Sequence, residues 1–224
     1  MRGTSGETPT LRRREQTVTE IRMKVSSPAE IVALAQQADV QKAGLSARKT
    51  LLLSALAGIY IAMGGILSLL VGYGFPQIAA ENPGLQKLLS GAMFPLGLIL
   101  VVFAGAELFT GNNAVLMPGV LGRTIGWKAV LRNWALVYAG NFAGALFFTY
   151  FMVYLTGVTA AAPWDEAVRG IAATKTSLPW HVVFLRGIGA NWLVCLAVWL
   201  GMSARSAAGK LLGLWFPVMC FVAI

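Results

Sequence analysis

Between Lys87 and Arg123 the chain carries one ionisable residue, Glu107, in a run that is otherwise uncharged and mostly apolar. A bilayer core about 30 Å thick is crossed by roughly 20 apolar helical residues. Residues 88–121 are therefore too long for one ordinary span and too apolar for a soluble loop. They are also interrupted, by Glu107-Leu108-Phe109-Thr110-Gly111-Asn112-Asn113. Glycine and asparagine break helices and tolerate left-handed backbone. Non-helical backbone persists at membrane depth only where protein buries it or it lines a watery cavity. The run reads as a first half-helix over about 88–106, a loop over 107–112, and a second half-helix starting near Asn113, which caps it. The N–H groups and positive dipole end of the second half would face the loop and favour an anion. Glu107 sits at the carbonyl end of the first half, where a free charge costs at least about 2.5–3.5 kcal/mol at mid-bilayer. Charged hydrogen bonds from loop donors offset about 1.5–3 kcal/mol each, so Glu107 is expected to hold the loop's shape. The competing reading puts Glu107 at the cytoplasmic interface and 114–121 outside the membrane. The apolarity of AVLMPGVLG (114–122) weighs against it.

The other segments agree with a membrane setting. Charged residues make up 12% of the chain, against about 25% in soluble domains. Residues 51–71 and 133–156 can each span, as can 182–202 if Arg186 snorkels or faces inward, while 211–224 is too short. A net charge of +9 would suggest nucleic acid in a soluble protein. Here half of the Lys and Arg residues precede residue 50 and most others fall in short loops. That is the distribution of the positive-inside rule, and no nucleic-acid partner is expected. The bias predicts a multi-pass protein of the cell (inner or plasma) membrane with a cytoplasmic N-terminus. Its parts are a polar tail (1–27), an amphipathic interfacial helix (28–49) and a transmembrane channel domain (50–224). Ser27, Pro28 and Glu30 suit the start of the interfacial helix. Ile31, Leu34, Ala35 and Ala38 share one face, and Lys42, Arg48 and Lys49 would anchor lipid head groups.

Cys195 and Cys220 lie in apolar runs and read as small hydrophobes. With His181 the sole histidine, no metal site is expected. Without a nucleophile–base set or a cofactor loop, neither a cofactor nor an enzyme is expected. Gly140 and Gly144 form a GxxxG in the third span, which by itself implies close helix packing rather than function.

AGAELFTGN (104–112) is followed in order by RNWALVYAGNFAGAL (132–146), the Lys175-Thr176 pair and GIGANWLVCLAVWLG (187–201). Together these resemble the formate/nitrite transporter family over about 28–224. The resemblance implies an all-α membrane protein, an aquaporin-like bundle of six transmembrane helices in two inverted halves with the second and fifth broken. It implies a homopentamer with one pore per protomer, passing small monovalent weak-acid anions (formate, nitrite or similar) with protons, in a pH-dependent way. Carried over by residue, Phe94 and Phe221 form an outer constriction. Leu98, Leu108 and Val194 form an inner one, with Phe109 beside it, and Thr110 presents its hydroxyl between the two. Asn191 supports the loop together with Glu107, Gly111 and Asn113, and Lys175 attracts anions in the outer vestibule. On sequence alone Phe94, Leu98, Val194 and Phe221 are ordinary core positions and Lys175 a solvated lysine. The alternative is an aquaporin-like channel for neutral small solutes, although no Asn-Pro-Ala box is present. The family's Gly-Phe/Tyr-Glu-His-Ser stretch would start just past Ile224. The sequence is therefore expected to be C-terminally truncated, with about four and a half spans, and not to transport when expressed alone.

Overall fold

A computed structural model describes residues 25–223, so the tail expected at 1–27 lies outside the described residues except for its last three. In chain order the helices are α1 (Pro28–Ala43), α2 (Ala47–Tyr73), α3 (Pro76–Glu81), α4 (Pro83–Met93), α5 (Pro95–Ala104), α6 (Phe109–Leu121), α7 (Trp127–Phe148), α8 (Trp164–Ser177), α9 (Trp180–Ser203) and α10 (Ala207–Ala223). α7 runs on as a π-helix over Thr149–Tyr154. Among the described residues, four helices are long and apolar enough to cross a membrane: α2, α4–α5 as one rod, α7 with its extension, and α9. α10 is apolar but shorter.

Lipid provides no hydrophobic force between helices, so small residues and paired polar groups set the contacts. α2 and α7 meet backbone to backbone: a Cβ on Gly144 would overlap the Ala55 carbonyl, and one on Gly58 would overlap the Asn141 carbonyl. α2 and α4 are joined by a reciprocal pair, Ser68 Oγ donating to Ser90 O at 2.8 Å and Ser90 Oγ to Ser68 O at 3.1 Å. The apolar core lies where α2, α5, α9 and α10 converge, around Ala57, Leu98, Val194, Ala197, Leu214 and Val218.

α1 starts on the expected capping box, Ser27 Oγ accepting from Glu30 N and Glu30 Oε2 from Ser27 N. Those Ser27 bonds, backbone first, hold the Glu30 carboxyl below its ordinary range, and Arg205 adds a smaller pull at 2.8 Å. The buried face is Ile31, Ala35 and Asp39, while Leu34 is exposed. This corrects the predicted apolar face, because α1 docks on α6 through a polar contact. Asp39 packs on Gly119, where any Cβ would overlap its carboxylate, and Thr124 Oγ1 donates to Asp39 Oδ2 at 3.1 Å. Gly119 is in the last turn of α6, whose negative dipole end opposes a carboxylate.

Burial raises the Asp39 carboxyl above its usual range, opposed by Thr124 and the Val40 N–H. The folded chain therefore binds this proton more tightly than the unfolded chain does. Stability is lost as pH rises from the ordinary Asp range through the folded value, and the deficit persists above it. Asp39→Asn should accordingly raise the thermal midpoint near neutral pH by about 2–4 °C, for about 1 kcal/mol of relieved desolvation. It should change little below about pH 4. Equal midpoints of the two proteins at pH 7, measured in detergent, would contradict the assignment.

Candidate functional site

The long rod is broken, and the break is shorter and earlier than the sequence suggests, occupying Gly105 to Leu108. Gly105 ends α5 in the left-handed conformation (φ 78°), and the Ala106 N–H turns back to Val101 O at 2.9 Å. Leu108 is extended (φ −107°, ψ 129°), and α6 begins at Phe109 rather than near Asn113. No local side chain caps α6. The cap comes from α7, where Asn141 Oδ1 accepts from Phe109 N at 2.9 Å. Asn113 is thus not an N-cap. It sits one turn inside α6 and donates from Nδ2 to Asn191 Oδ1 at 3.2 Å, joining α6 to α9.

Glu107 is 6% exposed and both its carboxylate oxygens are engaged. Oε1 accepts from Lys42 Nζ at 2.7 Å and Oε2 from Asn112 Nδ2 at 2.8 Å. Asn112 Nδ2 also reaches Asn133 Oδ1 on α7 at 2.9 Å. Lys42 therefore turns inward onto the buried carboxylate instead of anchoring head groups, since a charge-assisted bond in low dielectric outweighs one to solvent. Lys42, Asn112, Asn133 and Asn141 were not among the expected site residues. Their shared signal is a polar amide or charge in or beside an apolar span, which must find a partner.

The expected pore residues fall into two groups. Phe94 and Phe221 meet edge to face with ring centroids 5.5 Å apart. They and Leu108 pack against the apolar cluster that contains Leu98 and Val194, so both expected constrictions belong to one cluster. Phe109 instead turns to α7, 5.5 Å from the Tyr138 ring and 6.1 Å from Trp134. Gly111 is buried beside Val198. The Thr110 carbonyl accepts from Cys195 Sγ at 3.4 Å, so Cys195 serves as a donor to the first turn of α6 rather than as a plain hydrophobe.

Cavities lie at both ends of this cluster. One, about 900 Å³, is bounded by Tyr73, Lys175, Arg186, Gly189 and Phe221. The other, about 400 Å³, is bounded by Lys42, Lys49, Glu107, Leu108, Gly111 and Met202. Tyr73 ends α2 and Lys49 lies in its first turn, so the two cavities open at opposite ends of the bundle. Among the described residues, no His, Cys, Asp and Glu cluster could hold a metal.

Residues 29–224 match the sequence profile described as formate/nitrite transporter. An uncharacterised transporter of Bacillus subtilis, YrhG, is 43% identical over 202 residues, covering 90% of this chain and 75% of that protein. A probable formate transporter of Methanothermobacter thermautotrophicus is 42% identical over 190 residues, covering 79% and 69%. Among solved structures, a pentameric formate channel with formate bound superposes with a TM-score of 0.70 at 37% identity, covering 79% of this chain and 68% of that one.

Proposed function

Because the chain belongs to the formate/nitrite transporter family, we propose that it passes small monovalent weak-acid anions, formate and nitrite among them, across a membrane. The observation that carries the reading is the apolar cluster at the broken helix, set between two cavities whose rims hold lysines. Lys175 and Lys49 concentrate anions at opposite mouths, whereas the charge of Lys42 is taken up by Glu107. Between them the Phe94–Phe221 pair and the Leu98, Leu108 and Val194 contact oppose a bare charge by desolvation. The neutral acid crosses more easily, which makes passage proton-linked and pH-dependent. Thr110 presents its hydroxyl between the two constrictions, and Asn191, Gly111 and Asn113 keep the break in shape beside this path. The formate channel it resembles is pentameric, and this supports a homopentamer in the lipid bilayer. The Lys and Arg bias supports a cell-membrane location, with the 1–27 tail and the interfacial helix from residue 28 on the cytoplasmic side and the channel domain from about residue 50.

Uptake of labelled formate and nitrite into vesicles at pH 5.5 and 7.5 tests the reading, and anion uptake would overturn the expectation that these 224 residues do not transport when expressed alone. Flux that rises on acidification supports it. Water or glycerol flux indifferent to pH, with no anion uptake, would favour the neutral-solute channel instead. Lys175 lies in the last turn of exposed α8, so its charge acts on the rate of encounter more than on binding. Lys175→Ala should lower formate uptake about threefold at pH 7.5 and low salt, and less as salt screens the charge. An effect of equal size in high salt would remove Lys175 from this role.

A further inference from the structure

We propose that Asn141 is a positioning residue for permeation: it sets the inner constriction by clamping the backbone on both sides of Leu108. The side-chain amide makes three bonds at once. Nδ2 donates to Glu107 O and to Ser54 O, each at 2.8 Å, and Oδ1 accepts from Phe109 N at 2.9 Å. Glu107 and Phe109 are the two neighbours of Leu108 in the chain, so one rigid amide fixes the peptide groups before and after it. Leu108 is held extended between them. Successive side chains of an extended segment point to opposite sides. Leu108 accordingly packs against the cluster that contains Leu98 and Val194, while Phe109 meets the Tyr138 ring of α7 edge to face.

The surrounding packing exists at the distance this clamp requires. Asn141 stands between Gly140 and Gly144, and these glycines bring α7 onto the backbone of α2 at Ser54 and Ala55. Only at that separation can an Asn side chain on α7 bond a carbonyl of α2 and the break of the pore helix together. The GxxxG motif thus does more than pack two helices, since it delivers a donor–acceptor group to the break. The bond to Phe109 N also takes up the first N–H of α6. That N–H would otherwise add to the positive helix end facing the path.

Removing the amide leaves the Phe109 N–H and the Glu107 and Ser54 carbonyls without their bonds, while Lys42 and Asn112 still anchor the Glu107 carboxylate. The bundle should persist while Leu108 loses its fixed setting. A looser leucine admits larger acids, so the signature is a change in discrimination rather than a uniform loss.

This rests on the anion-transport reading, and the experiment separates the two. Wild type, Asn141→Ala and Asn141→Asp are reconstituted in vesicles, and uptake of formate and of propionate is normalised to correctly folded protein. Amide hydrogen exchange of the peptide covering 107–112 is read in the same samples and needs no flux. Asn141→Asp keeps the shape and an acceptor for Phe109 N but loses both donated bonds. Expected for both variants are a propionate-to-formate ratio raised about fivefold and exchange over 107–112 raised at least tenfold relative to α2. A ratio equal to wild type, with all uptake falling in step with folded protein, overturns the proposal and leaves Asn141 structural. Exchange over 107–112 unchanged in Asn141→Ala overturns it as well. Wild type without anion uptake would instead refute the transport reading, and the exchange result would still decide whether Asn141 holds the break.

Discussion

Gly144→Val should leave almost no folded protein. A side chain at this position starts inside the Ala55 carbonyl of α2, and the obstacle is backbone rather than a side chain that can rotate away. The same contact is tight from the other side, where a Cβ on Gly58 would meet the Asn141 carbonyl and the Ala145 N–H group. α7 must therefore move off α2 as a body. Overpacking in a core costs about 1–3 kcal/mol where neighbours can yield, and these cannot. The displacement also withdraws Asn141 from its three partners, each bond contributing about 0.5–1.5 kcal/mol. A total near 4 kcal/mol approaches the lower end of the about 5–15 kcal/mol by which native domains are stable. Yield of monodisperse protein in detergent should fall at least tenfold, and any surviving fraction should unfold at least about 8 °C lower. Gly170→Ala is the matched control. It lies within α8 with no atom near its added methyl, and alanine in a helix is favoured over glycine by about 1 kcal/mol. Wild-type yield and midpoint for Gly144→Val would show that the α2–α7 contact is not closed as described.

Asn141 also shows what the sequence could and could not reveal. The broken helix was legible because a carboxylate, glycines and asparagines inside an uncharged run have few physical explanations. Its boundaries were not. A helix start is normally read from a cap next to it in the chain, and Asn113 is a good local cap. Here the cap is Asn141 of α7, thirty-two positions away, so the helix can begin at Phe109 without one. Lys42 presents the same difficulty, since a lysine beside a membrane span reads as a head-group anchor until the partner sixty-five positions on is known. The face of α1 was misjudged at Leu34 and Asp39 for a related reason. Hydrophobic spacing assumes that a helix docks through apolar residues, whereas α1 docks on Gly119 and Thr124 through a carboxylate. Phe94, Leu98, Leu108, Val194 and Phe221 looked like any core residues, and they do form one apolar cluster. What sets that cluster apart is its place at the break between two cavities, which no single residue encodes.

Lys42 and Glu107 supply the other large effect, and a double-mutant cycle can isolate it. The pair is 2.7 Å apart, with side-chain exposures of 21% and 8%. Removing one partner of a fully buried pair costs about 3–5 kcal/mol, because the remaining charge is left uncompensated. The lysine is a fifth exposed, so solvent screens part of this, and about 2–3 kcal/mol is expected for Lys42→Met. Asn112 still donates to the carboxylate, but a neutral amide cannot replace an ammonium. Glu107→Gln leaves Lys42 a route to water and should cost less. The double variant removes both charges and should be more stable than the two single losses added together predict, with a coupling energy above about 1 kcal/mol. Thermal midpoints in detergent at low and high salt give the cycle. The coupling should persist at high salt, because a pair this sheltered is poorly screened. Additive losses, or a coupling that salt abolishes, would place the pair at the surface and release α1 from the break. A persistent coupling would instead mean that α1 and the broken α5–α6 rod fold as one unit, so a substitution on α1 would reach Leu108 through Glu107.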